Sequence, residues 1–300
     1  MGSPLRSCCR AIWTPCRTRE PDPPETLRLK LTIAFDGRAY AGWQAQACGT
    51  AVQDVVERAM SELFGGAHRL HSSSRTDSGV HALGMCAHVD LPSLPAGMED
   101  RKIRLALNAR LPEDIRIVEA RRVSSFFHAR FDAVGKEYHY QIWNHPAMNP
   151  LLRNVAWHVP QQLDVKAMRE AARFLEGRHD FRSMAANHGY HIKDTVRTLH
   201  EVKIVRKAAL LTVRISGEGF LYKMCRGIVG TLVQVGRGRF RPSDIRRMLE
   251  AKDRRVAGMT APAHGLTLHR VLYRRGAEAM GRKAPRDRDE HSGTEEAEAE

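Results

Sequence analysis

Leu27, Leu29, Leu31, Ile33 and Phe35 alternate with Arg28, Lys30, Thr32 and Ala34, the period-two pattern of a half-buried strand. Asp36 and Gly37 end it. From Val52 the period changes. Val52, Val55, Val56, Ala59, Met60 and Leu63 recur at helical spacing, Thr50 and Gln53 offer a capping box in front of them, and Gly65-Gly66 supplies the stop. The same spacing predicts helices over Glu99–Arg110 (Ile103, Leu105 and Leu107 inward), Asp164–Glu176 (Val165, Met168, Ala172 and Leu175 inward) and Phe220–Val235 (Met224, Ile228, Leu232 and Val235). A shorter helix, Pro242–Lys252, carries Pro in its first turn. Strands are predicted at His68–Ser72, Met85–Leu91, Ile115–Glu119, Lys136–Asn144, Thr195–Val205, Leu210–Ser216 and Gly265–Tyr273. In Lys136–Asn144 one face reads Tyr138, Tyr140, Ile142.

The second half repeats the first in outline. This predicts an α+β protein of two similar domains, 27–133 and 134–275, each an antiparallel sheet with helices, meeting at a central basic cleft. Both tails fall outside it. Residues 1–26 hold Arg6, Arg10, Arg17 and Arg19, no acidic residue before Glu20, then Pro21, Pro23 and Pro24. A transit peptide shares the early lack of acids, but Ser is sparse here and no amphipathic helix is evident, so a disordered extension is expected. The acidic tail 276–300 is nearly devoid of apolar residues from Gly281 onward and is expected to be disordered as well.

Charge narrows the partner. The 300 residues carry a formal +14, but residues 27–275 alone hold 40 basic and 23 acidic side chains, a net of +17. A body that basic attracts phosphate backbones or anionic membranes. No apolar run is long enough to span a bilayer and nothing reads as a membrane-surface helix, so a nucleic acid is the expected partner. The six Cys, at 8, 9, 16, 48, 86 and 225, have neither a disulfide nor a zinc spacing. A reducing, cytoplasmic setting suits them. Among the 15 His, pairs such as His188 and His191 lack further ligands at a recognisable spacing, so no metal is predicted.

The candidate chemistry lies in Ser72–Gly84, a polar, turn-forming run with apolar segments on both sides and Asp77-Ser78-Gly79 at its centre. Its carboxylate could simply bond its own turn, or be aimed by the loop as a reacting group. Tyr40 and Trp43 could stack on bases or pin their loop to the core. Arg130, beside Phe127 and Phe131, suits a phosphate contact or a buried structural role, and Arg226 by itself suits a solvated helix face.

The run Arg75-Thr76-Asp77-Ser78-Gly79-Val80-His81-Ala82 resembles the Arg-Thr-Asp-x-Gly-Val-His-Ala signature of the tRNA pseudouridine synthase A family. The likeness continues through Leu29–Phe35, Asp36–Gln44, Phe127–Phe131, Lys136–Tyr140 and Phe220–Gly230, and so covers roughly 27–275. One departure is Ser74, where many members have Gly. The resemblance implies that Asp77 is the catalytic nucleophile, that Arg226 ion-pairs with it, and that Tyr138 lines the site beside the target uridine. Arg75, next to the nucleophile, is a candidate for holding the displaced strand. The implied substrate is the anticodon arm of tRNA at positions 38 to 40, and the implied assembly is a homodimer. The reaction breaks the C1′–N1 bond, rotates the uracil and rejoins it through C5; it involves no redox change and consumes no phosphate, so no cofactor is expected. Two other classes compete with this reading. A non-catalytic RNA-binding protein would have no reason to keep Asp77, Tyr138 and Arg226 together. A hydrolase using Asp77 with His71, His81 and His88 lacks a metal-ligand set and a second carboxylate at a defined offset.

Overall fold

The opening alternation forms β1 (Leu27–Phe35), with Leu29, Leu31 and Ile33 fully buried. In this computed structural model, which describes residues 26–45, 49–95, 97–186 and 194–280, β1 lies between β3 (His81–Leu91) and β4 (Ile115–Val123), antiparallel to both. The N-terminal extension, Cys48, His188 and His191 lie outside the described residues. The short β2 (His71–Ser72) pairs with β3 and leads into the polar run.

Helix α1 (Val52–Phe64) buries Val52, Val56, Ala59 and Met60, with Val55 and Leu63 at the margin of the core. Its capping differs from the expected Thr50–Gln53 pair. The helix starts after Ala51, whose N–H donates to the Asp54 carboxylate at 3.1 Å, and Gln53 turns inward to bond Glu57 and the Leu70 carbonyl. In α2 (Asp100–Asn108) Ile103 and Leu107 are fully buried, but Leu105 is exposed, since two residues along a helix is more than half a turn.

The second half supplies β5 (Ala133–Trp143), β6 (Trp157–His158), β7 (Gly177–Asp180), β8 (Val196–Lys207), β9 (Leu210–Gly217) and β10 (Leu266–Tyr273). Its helices are α3 (Val165–Arg173), capped by the Asp164 carboxylate on Ala167 N–H at 3.0 Å, α4 (Met224–Gly236) and α5 (Asp244–Ala251).

These strands form one ten-stranded mixed sheet in the order β4-β1-β3-β10-β5-β9-β8-β7, with β2 and β6 off the path. Within each half the path is antiparallel, as the alternating patterns suggest. The halves are nevertheless joined. The C-terminal β10 returns to lie antiparallel to β5 and parallel to β3, where Thr267 faces His81 and Leu268 faces Ala82. One continuous apolar cluster runs from Leu29 to Leu268 through both halves. The fold also extends past residue 275. Helix α6 (Ala277–Met280) brings Glu278 into ion pairs with Lys30 and with Arg121 at 2.7 Å.

Candidate active site

Asp77 stands in the turn between β2 and β3, and its carbonyl accepts from Val80 N–H at 3.1 Å. A second loop braces this turn. Trp43 N–H donates to the Thr76 carbonyl at 3.2 Å, and the Ser78 hydroxyl donates to the Tyr40 carbonyl at 3.1 Å. Gly42 is required for that approach: its φ is +101°, and a Cβ there would lie 2.6 Å from the Thr76 oxygen. Trp43 is wholly buried, and the Tyr40 hydroxyl donates to the Asp114 carboxylate at 2.7 Å, so both aromatics pin the loop. His81 ties the turn to the segment before β10: Gly37 N–H donates to its Nδ1 at 3.3 Å, and its Nε2 lies 3.0 Å from the His264 carbonyl.

Arg226 reaches the same point from the first turn of α4. Its Nη1 donates to Asp77 Oδ2 at 2.9 Å, joining residues 149 apart in the chain. The pairing is single rather than bidentate, because Nε donates instead to the Ala261 carbonyl at 2.8 Å. Ala261 N–H donates back to the Arg226 carbonyl at 3.0 Å, so backbone holds the guanidinium on one side and the carboxylate on the other. The 258–261 segment can come this close because α4 is bare where they meet: a Cβ on Gly230 would lie 1.7 Å from the Met259 oxygen. The two charged side chains are 14% and 18% exposed, sheltered yet still reachable.

Tyr138 lies on β5 with its ring edge-on to Phe220 at 5.1 Å between centroids. Burial first, then Cys225, hold its phenol well above the usual tyrosine range, with Asp77 adding to the rise and Ser74 opposing it. Tyr138 is therefore a neutral phenol within electrostatic reach of Asp77. Burial, then Asp77, likewise keep the Cys225 thiol protonated. The Ser74 hydroxyl is buried near Tyr138 but falls short of hydrogen-bond geometry with any described group. Arg75 is exposed on the same loop and takes no part in the ion pair. Arg130 is also exposed, with its guanidinium 5.6 Å from the Phe131 ring centroid, so it is not a buried structural arginine.

Of the histidines in the hydrolase reading, His81 braces the turn and the other two serve elsewhere. His71 and His88 stack at 5.0 Å, His128 meets His88 edge-on at 4.6 Å, and none of them bonds Asp77. His88 Nδ1 accepts from Ala129 N–H, and His128 Nδ1 from Arg130 and Phe131 N–H, so the cluster shapes the 127–131 loop. Among the described residues, the one group of three possible metal ligands is Glu137, His139 and His269. Glu137 and His139 alternate with Tyr138 and so project from the opposite face of β5. The Glu137 carboxylate is already bonded by His139 at 2.6 Å and Arg270 at 2.7 Å.

Ala261, Phe220 and Cys225 join the site only in the folded protein. Phe220 and Cys225 lie inside the Phe220–Gly230 segment, but the ring and the thiol are explained only by what faces them. Ala261 acts through its carbonyl, which leaves no side-chain signal.

A family model described as tRNA pseudouridine synthase matches residues 31–132 and 171–274. The tRNA pseudouridine synthase A of Bacillus licheniformis is 46% identical over 250 residues, covering 82% of this chain and 99% of that protein. The Bacillus subtilis protein of the same name is 45% identical with the same coverage, and that of Syntrophotalea carbinolica is 45% identical over 82% of this chain and 96% of its own. The chain belongs to the tRNA pseudouridine synthase family, isomerases that convert uridine to pseudouridine. Its kinship within that family is with the tRNA pseudouridine synthase A proteins.

Proposed function

We propose that this enzyme isomerises uridine in the anticodon stem-loop of tRNA, with Asp77 as the nucleophile. The observation that carries the reading is the Arg226–Asp77 contact at 2.9 Å, which joins the two sequence halves at one sheltered carboxylate. The Ala261 carbonyl fixes the direction from which the guanidinium reaches the carboxylate. Asp77 adds to the target nucleoside, the C1′–N1 bond breaks, the uracil turns, and C5 bonds to C1′ as the carboxylate is released; C5 then gives up its proton and N1 takes one up, which leaves an isomer of the starting uridine. Tyr138 packs beside the base as a neutral phenol. Arg75 binds the strand from which the uridine has flipped, and flipping costs a few kcal/mol that such contacts offset.

In this reading the two halves act as lobes, with the basic cleft between them facing the RNA, and the protein works as a cytoplasmic homodimer that clasps tRNA. The net +17 of residues 27–275 supports a polyanionic substrate. The test is Asp77→Asn under single-turnover conditions, with pseudouridine mapped in the product and tRNA affinity measured by filter binding. A carboxylate that only capped its turn would lose little by becoming Asn. The expected outcome is loss of essentially all turnover with binding retained, because phosphate contacts dominate affinity. Near-normal turnover would remove Asp77 from the mechanism. Light scattering of the pure protein checks the dimer.

A further inference from the structure

Lys136 is a cation that the reading above leaves without a task. It stands two residues before Tyr138 on β5, so its side chain leaves the same face of the strand roughly 7 Å away. Its cross-strand neighbours are Gly217 on β9 and Val271 on β10, which carry no charge. Among the described residues no hydrogen bond or ion pair engages its ammonium. Lys30, Arg28 and Arg226, similarly sheltered, each face a carboxylate. The charge that does act on Lys136 is of its own sign. It is Arg130, whose guanidinium makes no ion pair either and lies near the Phe131 ring. Burial, then Arg130, push the lysine down to about 8. A sheltered cation with no counter-charge is unfavourable unless an anion joins it.

We propose that Lys136 forms a phosphate site for the tRNA backbone beside the target uridine. The proposal rests on the reading that Tyr138 lines the uridine pocket, since a nucleotide held there places its flanking phosphate within one side-chain step along β5. Lys136 supplies a compact point charge for that group. The site takes a phosphodiester of any sequence, so it positions the strand and does not read it.

The experiment measures tRNA affinity by filter binding as a function of salt for wild type, Lys136→Met, Lys136→Arg and a control, Lys203→Met, at an exposed residue of β8. Melting temperatures are taken alongside. Lys136→Met is expected to weaken binding severalfold and to lower the slope of log affinity against log salt by about 0.7 to 0.9, the loss of one phosphate contact. Its melting temperature is expected to hold or rise, because a partly desolvated charge has been removed. Lys136→Arg is expected to keep the slope. An unchanged slope in Lys136→Met, an equal fall in Lys203→Met, or a lowered melting temperature in Lys136→Met would each overturn the proposal. Failure of the functional reading looks different: wild-type protein that binds tRNA would form no pseudouridine.

Discussion

At the residue scale, the site turns on how one arginine divides its donors. Arg226 gives Nη1 to Asp77 and Nε to Ala261, so it positions the carboxylate while itself being positioned. An ammonium cannot do both, because it lacks the fixed fork of the guanidinium. Arg226→Lys is therefore expected to lower single-turnover rate by about 10- to 100-fold, the range of one lost charge-assisted hydrogen bond, while tRNA affinity changes little. A rate within twofold of wild type would show that charge alone suffices. The pairing of Arg226 with Asp77 was legible from the sequence through the resemblance of the motifs that carry both residues. The single, non-bidentate geometry was not, since it depends on a carbonyl 35 residues farther along the chain.

At the element scale, placement depends on close approaches between segments. Gly230 lets the 258–261 segment lie directly on α4, and that segment carries the carbonyl that holds Arg226. Gly230→Ala is expected to destabilise the protein by about 1–3 kcal/mol through overpacking, and to lower turnover at temperatures where the variant is still fully folded. Denaturant unfolding and single-turnover assays on the same preparation test this, and retained turnover in a destabilised variant would mean that the segment moves without carrying Arg226. The histidine cluster under the 127–131 loop gives a second test. Burial first pushes His88 down to about 3 and His128 down to about 4, from an unfolded value near 6.5. Below pH 6.5 the unfolded chain then binds more protons than the native one, so stability falls with decreasing pH until the folded values are reached. The slope is up to about 1.4 kcal/mol per pH unit for each group. Urea midpoints between pH 7 and pH 4.5 read this directly, and His128→Asn is expected to flatten part of the decline.

At the scale of the whole molecule, charge and topology set how the enzyme meets its substrate. With 40 basic and 23 acidic side chains in residues 27–275, tRNA affinity is expected to fall steeply with salt as counterions are released. Residues 281–300 hold four basic and seven acidic side chains, so deleting them is expected to leave binding intact. The cut must follow Met280, because Glu278 pairs with Lys30 and Arg121. A nearly flat salt dependence would sink the basic cleft, and weaker binding after the deletion would assign the tail a role in binding. The single sheet is the other feature at this scale. Its seam is the parallel contact of β10 with β3, made between the last described strand and one of the first.

The sequence by itself determined the strands and helices that alternate or repeat cleanly, since burial on one face imposes a period of 2 or 3.6 whatever the neighbours are. It also determined the Arg75–Ala82 motif, because residue types and their spacing are properties of the chain. The β3–β10 seam came only from the tertiary structure: a two-residue parallel pairing leaves no periodic signal in either strand. So did the inward turn of Gln53 and the brace from Gly42, each decided by which atoms stand opposite. The distance from Arg226 to Asp77 belongs to the same class, because an ion pair across 149 residues exists only once the sheet and α4 have brought both ends to one place.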